Sequence, residues 1–87
     1  MNIKLTKIFI KNTQESSKVQ NRLFELGASW GGDDENEPEY LDMKHLYIDE
    51  DLQLGYGDSD DFFYNHKYRE IKINELLKSQ TMRELLE

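Results

Sequence analysis

A chain of 87 residues with no cysteine can build one domain, but it cannot use a disulfide framework or a thiolate–metal site. Its 18 acidic against 11 basic side chains give a net charge of −7, which disfavours contact with a phosphate backbone and favours basic partners. No apolar run approaches the roughly 20 residues of a membrane-spanning helix, and Ile8-Phe9-Ile10 is too short for a signal sequence, so a soluble cytoplasmic protein is expected.

The charge is unevenly placed. Residues 1–32 carry five basic and two acidic side chains, residues 33–61 carry twelve acids against Lys44 alone, and residues 62–87 carry five bases and four acids. The whole negative excess therefore lies in the middle third.

Residues 3–11 alternate with Thr6, Ile8 and Ile10 on one face and Lys4, Lys7 and Lys11 interspersed, which predicts a first strand. Asn12 or Thr13 caps a following helix, and Asn12 with Glu15 has capping-box spacing. Val19, Leu23 and Leu26 recur at helical spacing, widened by Phe24, and Gly27 stands where a left-handed residue ends a helix. Ala28-Ser29-Trp30 starts a short second strand. Residues 31–39, with two glycines, the only proline and five acids, read as a mobile loop that adds little stability. Residues 44–49 and 52–56 form two strands turning around Asp49-Glu50-Asp51. Residues 57–61 make a turn and cap a short helix carrying Phe62, Phe63 and Tyr64. Residues 70–74 alternate as a closing strand, and residues 78–87 form a C-terminal helical segment in which Thr81 to Glu84 repeats the capping box. The expected fold is α+β: one main helix on a small antiparallel sheet of three to five strands (β-α-β-β-β) with a short C-terminal helix. The open sheet face is then covered by that C-terminal helix or by a second copy in a homodimer.

No pattern of catalytic residues emerges. A calcium loop started at Asp49 fails at positions 5 and 6, which are Gln53 and Leu54, and one started at Asp58 fails at positions 6 and 12, which are Phe63 and Arg69. His45 and His66 lack metal-ligand spacing and read as structural or exposed residues. No nucleophile elbow is present, and Gly31-Gly32 is followed by two aspartates that repel phosphate. Twelve acids in the middle third satisfy almost any carboxylate spacing, so they specify none. No cofactor and no metal are expected.

The aromatics carry more information. Tyr47 points opposite to Leu46 and Ile48, and Tyr56 shares a face with Leu52 and Leu54. Tyrosine rimmed by carboxylate has the composition of an interaction surface. The candidate binding residues are Trp30, Tyr47, Asp49, Asp51, Tyr56, Asp58, Asp60 and Asp61, expected in one region because two short strands bring both turns within one interface footprint.

The run Val19-Gln20, Leu23-Phe24-Glu25-Leu26-Gly27, Trp30, Tyr40-Leu41, Leu46 to Asp51, Tyr56-Gly57, Phe62-Phe63 and Glu70 to Ile73 resembles a group of short uncharacterised bacteriophage proteins. There a helix ending in F-E-L-G leads through a tryptophan to a strand, an acidic turn and a closing strand. The resemblance implies an accessory or counter-defence factor that binds a host component. The acidic surface of residues 33–61 adds the expectation of an inhibitor that occupies a basic site on a host protein as a nucleic-acid mimic, touching neither nucleic acid nor membrane. Two alternatives stand: a sponge holding a nucleotide messenger between subunits, with Trp30 or a tyrosine on the base, and a small hydrolase with a carboxylate-bound metal.

Overall fold

A computed structural model describes residues 2–31 and 37–78 of the chain. The predicted loop residues 32–36 and the C-terminal segment from residue 79 onward lie outside the described residues.

Four strands make one sheet: β1 (Thr6–Phe9), β2 (His45–Ile48), β3 (Leu54–Gly57) and β4 (Arg69–Glu70), in the order β3-β2-β1-β4. Helix α1 (Thr13–Glu25) follows β1, helix α2 (Asp60–Asn65) separates β3 from β4, and residues 73–78 are helical. The α+β expectation holds, with two changes: Ala28-Ser29-Trp30 contributes only an isolated bridge from Ser29 to Gln53 and no strand of the sheet, and the sheet is mixed. β1–β2 and β2–β3 are antiparallel, but β4 lies parallel to β1, with Arg69 N–H donating to the Leu5 carbonyl and Ile71 N–H to the Lys7 carbonyl. Because β3 also runs parallel to β1, the stretch from Gly57 to Arg69 must cross the sheet, as parallel connections do. That crossover carries α2.

The ends of α1 follow the sequence signals. Asn12 Oδ1 accepts from Glu15 N–H at 2.8 Å, while the Glu15 carboxylate reaches back to Lys11 N–H at 2.9 Å. At the other end Gly27 takes φ +103°, and Gly27 N–H and Ala28 N–H donate to the Phe24 and Leu23 carbonyls. That pair of bonds is a Schellman closure, available to glycine without strain.

Val19 and Leu23 of α1 are fully buried against Ile8, Leu46 and Ile48, joined by Ile10, Ile71 and Leu76. Leu26 and Phe24 pack at the margin of this core. The closing strand is shorter than the alternation at 70–74 suggested. The Lys72 carbonyl accepts from Glu75 and Leu76 N–H, which turns the chain into a helix and sends Leu76 into the α1 core.

The other sheet face presents Lys7, Phe9, His45 and Tyr47, cross-strand neighbours by register. Among the described residues it is covered by α2: Phe63, fully buried, stacks on His45 and meets Phe9 edge-on. Lys7 is buried there too. Its ammonium donates to the Phe63 carbonyl and, at 3.0 Å, to the His66 carbonyl, and it sits 4.6 Å from the Phe63 ring centroid.

Leu23→Ala should destabilise the fold by about 2–5 kcal/mol in denaturant titration, since the site is closed on all sides. Lys7→Met keeps the aliphatic stem but removes the ammonium. It should cost about 1.5–3 kcal/mol, the range for hydrogen bonds to a charged group, and amide exchange should accelerate in α2 before it does in α1.

Candidate functional site

The candidate binding residues separate into two groups on opposite sheet faces. In β3 the register sets Tyr56 opposite Leu46 and Gly55 opposite Tyr47, so Tyr56 lies on the α1 side and Tyr47 on the α2 side. The single region expected from the sequence is therefore divided, because adjacent positions on a pleated strand point apart.

On the α1 side, Trp30, Tyr40 and Tyr56 form a cluster. Tyr40 and Tyr56 stack with ring centroids 4.0 Å apart and planes 15° from parallel, and Trp30 meets both rings edge-on. Tyr40 is 45% and Tyr56 47% exposed, so the stack is an outward surface. The cluster rests on one buried amide. Gln20 Oε1 accepts from Trp30 Nε1 and from Glu39 N–H, both at 2.9 Å, while its Nε2 donates to Ser16 Oγ at 3.0 Å and the Glu39 carbonyl at 2.7 Å. These four bonds exhaust the capacity of a primary amide. They also anchor the exit of the loop expected to be mobile, which delivers Tyr40, in a left-handed conformation, onto Tyr56. An open groove of about 750 Å³ runs beside this cluster, lined by Trp30, Glu39, Tyr40 and residues 53–56.

On the α2 side, Tyr47 packs against Phe62, Phe63 and His66. Its ring lies over β3, where a Cβ on Gly57 would come within 3.6 Å of Tyr47 Cε2. Among the described residues nothing hydrogen-bonds the Tyr47 hydroxyl, and burial pushes its pKa above the ordinary phenol value of about 10. Phe62 is 57% exposed and extends this patch outward.

The acids also divide. Asp49 Oδ1 accepts from Asp51 N–H at 2.8 Å and Gln53 N–H at 3.0 Å, so it shapes the β2–β3 turn. Asp51 is exposed at one end of the hairpin, near Lys67. Asp58, Asp60 and Asp61 are exposed at the other end. Asp60 and Asp61 occupy the first turn of α2, where negative charge suits the helix dipole, and Ser59 Oγ caps Phe62 N–H. Asp60 Oδ1 also lies 3.0 Å from Nε2 of the buried His45, at an angle that makes no hydrogen bond.

Three contributors escaped the sequence reading. Gln20 falls beside Val19 and three residues before Leu23, which places a polar residue on the buried helix face. Tyr40 reaches Tyr56 through a loop with no periodicity. Lys7 alternates like a surface lysine. Among the described residues no group of three or more His, Cys, Asp or Glu is placed to hold a metal ion. None of the described helices is long and apolar enough to cross a membrane.

No family model, curated protein or solved structure matches the chain.

Alkaline titration provides a test of the Tyr47 environment. A phenol whose folded pKa is raised stabilises the fold below its unfolded pKa, and this contribution is lost as pH rises toward the folded value. The wild-type chain should therefore show one late tyrosine in ultraviolet titration and lose stability above about pH 10. Tyr47→Phe should remove the late ionisation and leave neutral-pH stability within about 1 kcal/mol, since no hydrogen bond is broken. A loss well beyond that would mean that the hydroxyl is bonded.

Proposed function

We propose that this protein is a non-enzymatic binding protein whose acidic, aromatic surface occupies a basic site on a partner protein, in the manner of an inhibitor. The observation that supports this best is the solvent-facing Tyr40–Tyr56 stack on Trp30, in a chain of net charge −7. Large aromatic rings held in place by a buried amide lose little conformational freedom on binding, which is what an interface anchor needs. The surrounding carboxylates would steer a basic partner and stand where phosphates stand in a nucleic-acid complex. The resemblance to short phage proteins makes a host component the natural target and counter-defence the natural role.

The nucleotide-sponge reading needs cations from the N-terminal segment beside an aromatic ring. Lys7 is committed to the α2 carbonyls, Arg22 is buried against Glu25 and the Leu76 carbonyl, and none of the exposed Lys4, Lys11 and Lys18 lines the groove beside the Trp30, Tyr40 and Tyr56 cluster. This weighs toward a protein partner.

The test is kinetic, on a basic host protein captured by the chain and released by salt. Asp58→Lys with Asp61→Lys should slow association and flatten its salt dependence with little effect on dissociation. Tyr56→Ala should raise the dissociation rate about thirtyfold, as for a hot spot of about 2 kcal/mol. Melting temperatures on the same variants separate binding from folding. If the charge reversals leave association unchanged and Tyr56→Ala loses binding only by unfolding, the acidic-surface reading falls.

A further inference from the structure

We infer that the partner is engaged by strand addition: an extended basic segment pairs with the outer edge of β3, at Tyr56, and lies in the groove beside the tyrosine stack. The inference rests on the reading of this face as a surface for a basic partner, and adds the mode of contact.

The pairing pattern shows which backbone groups are free. Ile10 N–H donates to the Lys44 carbonyl, so the even-numbered residues of β2 bond toward β1 and the odd-numbered ones toward β3. Asp49 N–H donates to the Gln53 carbonyl in agreement, which makes 47–55 and 45–57 the hydrogen-bonded pairs of the hairpin. The N–H and carbonyl of Leu54 and Tyr56 therefore point away from the sheet. Leu54 N–H is taken by the Ser29 carbonyl at 2.8 Å, where Ser29 and Gln53 form a short parallel bridge. Among the described residues that cover ends there, and Tyr56 presents both backbone groups outward.

Proteins commonly blunt such an edge with lysine, proline, a bulge or brevity. The opposite edge follows that rule: β4 is two residues long and carries an exposed Arg69. The β3 edge, Leu54-Gly55-Tyr56-Gly57, carries no lysine or proline, and among the described residues its cover by Ser29 stops short of Tyr56. The groove is lined by four consecutive residues, 53–56, which places it along the strand edge and not over one face. A strand laid there would align its backbone with Tyr56. Its side chains on the α1 side would meet the exposed Tyr40–Tyr56 stack, and Glu39 lines the same groove. Aromatic faces and a carboxylate favour lysine or arginine at those positions. Charge complementarity favours a foreign basic occupant over a second copy, which would bring another net charge of −7 to a chain of the same sign. Main-chain bonds give affinity in this mode and alternate side chains give selectivity.

The test leaves the protein unaltered. The isotope-labelled full chain is titrated with a capped peptide of about eight residues, an ordinary strand length, alternating lysine and valine. A second peptide has the same sequence with alternate amides N-methylated on the pairing edge, and a third has glutamate for lysine. Strand addition predicts that the first peptide shifts the Tyr56 amide and slows its exchange. N-methylation should weaken binding about tenfold or more, as the loss of one or two hydrogen bonds requires, and the glutamate peptide should not bind. Equal binding of the two lysine peptides would overturn strand addition while leaving the acidic-surface reading in place. Absence of binding by either lysine peptide, or equal binding by the glutamate peptide, would overturn both.

Discussion

The fold depends on a lysine turned inward. Lys7 lies in the central part of the sheet, and its ammonium holds the carbonyl end of a six-residue helix that would not persist alone in water. A cation at a helix C-terminus satisfies carbonyls that have no partner within the helix and meets the negative end of its dipole. The same ammonium lies beside the Phe63 ring, so one side chain fixes α2 both by its backbone and by its anchor residue. With α2 in place the chain can cross from β3 to β4, and β4 can complete the sheet beside β1. Without it, the Phe9, His45 and Tyr47 face would be open to water.

The two sheet faces therefore have different characters. The α1 side is an aliphatic core built from Ile8, Val19, Leu23, Leu46 and Ile48. The α2 side is a thinner layer of rings around one cation, with His45 stacked on Phe63 and Tyr47 against Phe62. Aromatic layers of this kind bury large areas with few residues. That suits a crossover too short to supply a long helix. Outward aromatics arise at the margins of these layers: the Tyr40–Tyr56 stack on the α1 side, and Phe62 and Tyr64 on different faces of α2.

Much of this was legible in the sequence. The alternation at Thr6, Ile8 and Ile10, the Asn12–Glu15 cap, the Val19–Leu23 stripe and Gly27 are local signals, and local chemistry decides them. The hairpin from His45 to Gly57 was equally plain. What could not be read was whatever depends on contacts distant in sequence. Lys7 has a surface residue's alternation, and only a helix nearly sixty positions later buries it. The parallel placement of β4 follows from that same crossover. Among the site residues, Trp30 and Tyr56 were identified and do meet, whereas Tyr40 and Gln20 complete their cluster from a loop and a helix face with no motif. Tyr47 was correctly set opposite to Leu46, which is also why it cannot join Tyr56.

The glycines of β3 have a consequence for how the hairpin forms. Gly57 lies against the Tyr47 ring and Gly55 against its Cβ, and both neighbours on the strand, Leu54 and Tyr56, are large. If β3 slid by one residue against β2, those large side chains would turn toward the ring and compete for the space it fills. The hairpin thus carries a local preference against the slipped pairing, in addition to the one the core imposes. Such an internal reference matters for a strand that, among the described residues, is bonded on its outer edge only through Ser29. The two glycines act as a keyway, and the tyrosine is the key.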